Sequence, residues 1–335
     1  MKKLFLFFLL IHLSPLGVFA QVKKYIFYAD KMGSPFTTTV ISNDSAKTAF
    51  TYQKGLLLVD SLVHIISDYD DSSELNKLNA SAGIKPIAIS PYLEKILLAG
   101  KSAYATTHGQ YSIAIGSLSL LWREARKTHT FPNPKLVAKA KEHISCDDLL
   151  IDTLKHTAFL RYAGMHIDLG SLGKGYIAQS MINYYKQEGF ENCMIDAGGK
   201  IVASKALDEK YFWHVGIQLP RNKNKMASAI IRIENGAIAS SGDAFQYIQN
   251  KGKRYSHIID TKTGYGITSP KNVTVIANEG ILADWLSTAC SLMPISKAIQ
   301  LAQQHNAQIY IAILKGSKVE IYKSKGFDAY CKEKL

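Results

Sequence analysis

Asp284 and Thr288 lie four residues apart within Ile281 to Met293, a stretch of helical pattern, so both side chains fall on one helix face and can converge on one ion. A carboxylate and a hydroxyl suit Mg2+, which takes few protein ligands and fills its shell with water and phosphate oxygens. The same two residues also read as a helix cap and a core hydroxyl. His257 stands in a predicted strand beside a turn, where an imidazole can move protons near neutral pH or serve as a satisfied structural residue. Asp168 precedes and Lys174 stands within the glycine-rich run Gly170-Ser171-Leu172-Gly173-Lys174-Gly175, either as a surface ion pair or as groups presented to an anionic ligand at the start of a helix. A phosphate loop is excluded there: it needs a glycine where Asp168 stands and a hydroxyl where Gly175 follows the lysine.

The elements that must position these groups are legible in outline. Lys24 to Asp30 and Phe36 to Ser42 are β-rich runs separated by Met32-Gly33-Ser34-Pro35, hence two strands and a turn. Leu56, Val59, Leu62, Val63 and Ile66 recur at helical spacing up to about Ser67. Ser90-Pro91 caps a second helix that ends by Gly109, and a third begins near Gly173-Lys174 and stops at Gly189. Short strands are expected around Cys193 to Asp196, Phe212 to Leu219, Ile230 to Glu234, Tyr255 to Asp260 and Val273 to Ala277. A helix follows from Ile281, Pro294 restarts another, and Gln308 to Leu314 with Lys318 to Tyr322 reads as a closing hairpin. Strands and helices mix without β-α-β alternation, so the fold class is α+β with mainly antiparallel sheet.

The 335 residues carry 40 Lys+Arg against 27 Asp+Glu, with 47% hydrophobic and 20% charged residues, proportions that exclude disordered, collagenous and polytopic membrane classes. Residues 1 to 20 read as a secretory signal peptide: Lys2-Lys3, then apolar Leu4 to Ile11, then Val18-Phe19-Ala20. The apolar run is too short to span a bilayer, and no later segment qualifies. The remainder, 21–335, is expected to be one continuous domain, exported and periplasmic or otherwise extracytoplasmic. Cleavage takes the net charge from +13 to +11, with the cations dispersed apart from small clusters at Arg221 to Lys225 and Lys251 to Arg254. A solvated surface accounts for them, and nucleic acid is not an expected partner. Cys146, Cys193, Cys290 and Cys331 form no C-x-x-C pair, so zinc and redox motifs are absent.

Two resemblances compete for the functional segments. Ser171-x-x-Lys174 and Lys262-Thr263-Gly264 are similar to motifs of penicillin-recognising serine enzymes, but no Ser-x-Asn lies between them and the lysine triplet falls in a turn. The stronger resemblance rests on an ordered set. It comprises Ser67-Asp68-Tyr69 with Ser73-Glu74-Leu75 and Asn79, Ile167-Asp168-Leu169-Gly170 running into Gly173-Lys174-Gly175-Tyr176, and Ala197-Gly198-Gly199. Ser241-Gly242-Asp243, His257-Ile258-Ile259-Asp260 with Thr263-Gly264, and Ala283-Asp284-x-x-x-Thr288 complete it. Together they resemble the ApbE family of exported, magnesium-dependent FAD:protein FMN transferases.

The resemblance implies an ApbE-like, T-fold-like architecture and an FMN transfer from FAD to a Thr or Ser hydroxyl of an exported acceptor protein, with AMP released. It implies catalytic roles for His257 and Lys174, and Mg2+ ligation by Asp284, Thr288 and the carbonyl of Gly173. It implies FAD contacts at Met32, Tyr69, Gln110, Tyr111, Ser112, Asp168, Lys174, Gly198, Gly199, Ser241 and Gly242. Three positions depart from the family's pattern. Tyr111-Ser112-Ile113-Ala114 stands where aromatic-Asp-Pro-Thr is usual, Lys200 where an acid usually follows the double glycine, and Thr261 where proline usually follows Asp260. The alternatives are an FAD diphosphatase that uses water as nucleophile and a flavin-binding protein without turnover.

Overall fold

A computed structural model describes residues 22–208, 212–217, 219–220, 229–242 and 246–332. The segment read as a signal peptide, the cluster Arg221 to Lys225 and Asp243 lie outside the described residues.

The chain opens with a hairpin of β1 (Lys23–Lys31) and β2 (Ser34–Ser42), followed by α1 (Ser45–Ile66), α2 (Glu74–Ala80), β3 (Ile87–Ala88), α3 (Pro91–Thr106), α4 (Gly116–Thr128) and α5 (Pro134–Ala140). Then come β4 (Leu149–Asp152), β5 (Thr157–Leu160), α6 (Gly173–Gln187), β6 (Cys193–Ala197), β7 (Lys200–Ala203), β8 (Trp213–Ile217), β9 (Ala229–Ile233) and β10 (Gly236–Gly242). The last part holds β11 (Tyr247–Asn250), β12 (Lys253–Ser256), β13 (Lys271–Ala277), α7 (Gly280–Ser291), α8 (Ile295–Gln304), β14 (Gln308–Lys315) and β15 (Lys318–Lys323). No helix among the described residues is long and apolar enough to cross a membrane.

Eight strands form one sheet in the order β1-β2-β6-β7-β10-β13-β14-β15, every neighbour antiparallel. The α+β, mainly antiparallel class is therefore what this sequence forms. Helices α1, α6, α7 and α8 pack on one face of the sheet, and the β8–β9 hairpin covers the other. Alternation along single strands shows the division: Ala237 and Ala239 of β10 face the helices while Ile238 faces the hairpin, as Ile309 and Ile311 of β14 oppose Tyr310 and Ala312. With both faces buried, these strands read as nearly unbroken apolar runs. A third cluster joins α4 and α5 to the β11–β12 hairpin, where Trp122 packs against Phe131, Tyr255 and Tyr265.

The expected strand from Tyr255 to Asp260 is cut short. Strand β12 ends at Ser256, whose hydroxyl accepts from the Ile258 N–H, while the N–H of His257 donates to the Gln246 carbonyl. The chain bends, and His257 leaves the ladder at the bend.

The site depends on one close crossing. A Cβ on Gly175 would stand 2.1 Å from the Gly280 carbonyl oxygen, and one on Gly280 would stand 2.3 Å from that of Gly175. The first turns of α6 and α7 thus touch backbone to backbone. Gly175→Ala is expected to destabilise by about 2–3 kcal/mol through overpacking, a fall of roughly 3–5 °C in melting temperature for a chain of this size. A variant melting within a degree of wild type would show that this crossing is loose.

Candidate functional site

Two tight turns stand side by side at one end of the sheet. Met32-Gly33 joins β1 to β2 and Gly198-Gly199 joins β6 to β7, all four with φ between +54° and +85°. That is the left-handed pair of a two-residue hairpin turn, natural for Gly198-Gly199 and unusual for a methionine. Strand pairing of β2 with β6 brings the turns together, Phe36 opposite Ala197. A Cβ on Gly198 would strike Ser34 Oγ at 2.5 Å and approach Lys174 Nζ at 3.2 Å. The space it leaves is where Lys174 Nζ donates to Ser34 Oγ at 2.9 Å. Burial lowers the Lys174 pKa, with Asp284 acting against the shift.

Asp284 is fully buried on α7. Its Oδ2 accepts from the Gly175 N–H at 2.9 Å, a bond that the glycine crossing makes reachable, so the carboxylate sits at the positive end of α6. Its Oδ1 accepts no directed hydrogen bond, although Lys200 Nζ stands 3.0 Å away. Thr288 is one turn further along, its hydroxyl 3.2 Å from Ser241 Oγ, which in turn lies 2.7 Å from Ser287 Oγ. Gly173 opens α6 beside them, and Gly242 ends β10, its missing Cβ leaving room for the Asn272 side chain at 2.8 Å. A hard divalent cation fits this donor set: one carboxylate oxygen without a directed bond and neighbouring hydroxyls, with no cluster of three or more His, Cys, Asp or Glu among the described residues.

Asp168 and Lys174 do not pair. Arg123 of α4 instead bridges Asp68 and Asp168, with Nη2 2.9 Å from Asp168 Oδ2, and its guanidinium lies 4.1 Å from the Tyr69 ring centroid. Burial, then the neighbouring Asp168, push the Asp68 pKa up to about 6. Tyr69 is therefore no core residue: it is 78% exposed, an aromatic plate on a cationic support.

His257 Nδ1 lies 3.3 Å from the Gln246 carbonyl, which can only accept, so the neutral ring carries its proton on Nδ1 and leaves the Nε2 lone pair free. Burial, reinforced by Arg126 and Lys200, lowers the His257 pKa to about 4.

Three residues near Gly109 serve the fold more than the cleft. Gln110 does not line the cleft; its carbonyl and that of Gly109 accept from Thr261 Oγ1, at 3.3 and 2.9 Å. Threonine in place of proline at 261 thus ties this turn to the His257 segment. Ser112 borders the cleft, but its hydroxyl donates to the Ile144 carbonyl and accepts from the Ala114 N–H. Tyr111 is buried with its hydroxyl 2.7 Å from Ser171 Oγ. Tyr111 and Ser112 thus line the cleft with their hydroxyls engaged inside the protein, and Gln110 stands outside its lining.

The other positions converge on one cleft of about 1410 Å3, lined by Met32, Tyr69, Asp168, Gly173, Lys174, Gly198, Gly199, Ser241, Gly242, His257, Asp284 and Thr288. Arg123 and Arg126 line it too, and sequence reasoning missed both because α4 was not assigned. Leu118, Trp122 and Ala125 recur at helical spacing and are the signal that could have revealed it.

The cleft gathers the cations Lys174, Lys200, Arg123 and Arg126 with the exposed ring of Tyr69, an arrangement that suits a ligand both anionic and planar. A family model described as the ApbE family matches residues 32–312, and the chain belongs to that family. A FAD:protein FMN transferase of Haemophilus influenzae is 31% identical over 255 residues, spanning 74% of each chain. One of Klebsiella pneumoniae is 28% identical over 304 residues, spanning 89% of this chain and 87% of its own. The flavinyl transferase ApbE of Pseudomonas stutzeri, solved in its apo form, superposes with a TM-score of 0.83 at 22% identity, covering 94% of this chain and 99% of its own. The ApbE protein of Thermotoga maritima gives 0.82 at 24% identity, covering 93% and 100%. Both structures share this fold.

Proposed function

We propose that this chain is an exported, Mg2+-dependent FAD:protein FMN transferase. The observation that carries the reading is the concentration of two ammonium groups, Lys174 and Lys200, and a helix N-terminus around buried Asp284, in a cleft that Tyr69 also lines. Relatives named for this activity, and an N-terminus of signal-peptide pattern, support it further.

Asp284, Thr288 and the Gly173 carbonyl would hold Mg2+, which when bound supplies charge neutralisation and Lewis acidity to a diphosphate. Lys174 adds a positive charge beside the same diphosphate. Tyr69 offers its face to the isoalloxazine, with Asp168 and Arg123 below it. His257 Nε2 accepts the proton of an acceptor Thr or Ser hydroxyl as that oxygen bonds to the FMN-side phosphorus. The bond from that phosphorus to the bridging oxygen breaks, AMP leaves with that oxygen, and the acceptor keeps FMN through a phosphoester. Positioning and charge account for the protein's share of such a transfer.

Purified protein incubated with FAD, Mg2+ and an exported acceptor domain is expected to yield a fluorescent flavin band at the acceptor's mass and one AMP per flavin transferred. FMN and AMP formed equally fast without acceptor would replace the reading with an FAD diphosphatase. Bound FAD with no AMP formed would replace it with a flavin-binding protein.

A further inference from the structure

Lys200 is an odd neighbour for a metal ligand. It opens β7 directly after the Gly198-Gly199 turn, and its side chain is largely buried, 13% exposed. Its ammonium donates to the Ser240 carbonyl at 2.7 Å, stands 3.0 Å from Asp284 Oδ1, and lies 3.4 Å from both Ser241 Oγ and Ser287 Oγ. These are four hard oxygens from two elements, β10 and α7, gathered around one positive charge. Asp284 Oδ1, the carboxylate oxygen a metal would use, is the one the ammonium faces.

We propose that Lys200 is a resident cation of this site, which holds Asp284 in the absence of metal and which a divalent ion must displace from Oδ1 before it can bind there. Two cations cannot share one carboxylate oxygen at contact distance without strong mutual repulsion in a buried setting. Lysine suits the role because its long stem lets the ammonium leave without moving the strand, whereas a planar guanidinium needs a matching fork of acceptors. On the cleft side it would meet the substrate's phosphates, next to Lys174. This deepens the metal half of the proposed function and rests on it.

The test uses metal alone, without flavin or acceptor, so its outcome is separate from that of the transfer assay. Mn2+ binding is read from the loss of the free-ion EPR signal on titration into wild type, Lys200→Gln and Lys200→Met. A single opposite charge within about 4–6 Å changes a carboxylate's affinity for a proton by about 10- to 1000-fold, and removing Lys200 is expected to tighten Mn2+ binding by roughly tenfold or more in both variants. In the double variant Lys200→Gln/Asp284→Asn the gain should vanish. Loss of the ammonium also leaves Asp284 unpaired, so both single variants should melt lower than wild type without metal and recover more on adding Mn2+. Equal or weaker Mn2+ binding in the single variants overturns the proposal, as does a gain that survives the loss of Asp284. If Lys200→Gln does not fold, Lys200→Met gives the same readout.

Discussion

Asp284→Asn is expected to lower flavin transfer on the order of a hundred- to a thousandfold while the protein still folds. The amide keeps an oxygen for the Gly175 N–H, so the junction of α6 and α7 retains its hydrogen bond, but the anionic ligand is gone. Lewis-acid stabilisation of a phosphoryl transition state is worth several kcal/mol, and about 1.36 kcal/mol corresponds to each tenfold in rate. Asp284→Ala is the poorer experiment. From sequence alone the residue looks like a ligand removable at no structural cost. In the fold its loss orphans the buried Gly175 N–H and leaves the Lys200 ammonium without its carboxylate. Alanine loses both partners; asparagine keeps the Gly175 bond but turns its NH2 toward the Lys200 ammonium, so both should lower the melting temperature, alanine more, while the rate falls in both. Initial rates against Mg2+ concentration, with melting curves on the same preparations, separate the two effects. A wild-type rate for Asp284→Asn at limiting Mg2+ would falsify the metal assignment.

Asp284 also marks where sequence reading stops. Helices α1, α3 and α6 are visible because local chemistry announces them: apolar spacing in the first, Ser90-Pro91 at the start of the second and Gly189 with φ +84° past the end of the third. Helix α4 has no side-chain cap, since Ile115 occupies that position, and no acid in its first turn, so nothing local starts it. With it went Arg123, whose partners Asp68 and Asp168 lie 55 and 45 residues away. Strand β10 is buried along nearly its whole length because both faces of the sheet are covered, so the alternation that reveals half-exposed strands is missing. The motif segments did locate the cleft, because their glycines answer to local needs such as the left-handed turn at Gly198-Gly199. What they could not show is pairing: Lys174 with Ser34, Lys200 with Asp284, Thr261 with the Gly109 carbonyl. Each of those joins residues far apart in the chain, and only the packed sheet and helices bring them into reach.

His257→Ala is expected to slow transfer by about a hundred- to ten-thousandfold, the usual worth of a general base, with little change in FAD affinity. The ring's role is realised in the transition state, when the acceptor hydroxyl gives up its proton, so the loss belongs in kcat more than in binding. A structural histidine behaves otherwise. Here the side chain makes one long contact, Nδ1 to the Gln246 carbonyl, while the backbone N–H of residue 257 keeps its own bond to that carbonyl in any variant but proline. The fold therefore has little to lose at the ring. The pH profile supplies the sharper test. With its pKa held near 4 by burial, Arg126 and Lys200, the free ring is neutral throughout the physiological range, so the acid limb of kcat/KM is expected near pH 4 and not near 6.5. Diphosphate charge entering the cleft opposes those two cations, so the acid limb of kcat, which reports the substrate complex, should lie higher. Stability follows the same ionisation. A folded pKa depressed below the unfolded value contributes stability that is complete above about pH 6.5 and is lost as the pH falls towards 4. His257→Ala should accordingly flatten the melting temperature over that window and abolish the acid limb attributable to the ring. A variant that binds FAD, melts normally at pH 7.5 and transfers flavin at the wild-type rate would remove His257 from the chemistry and leave the proton to water.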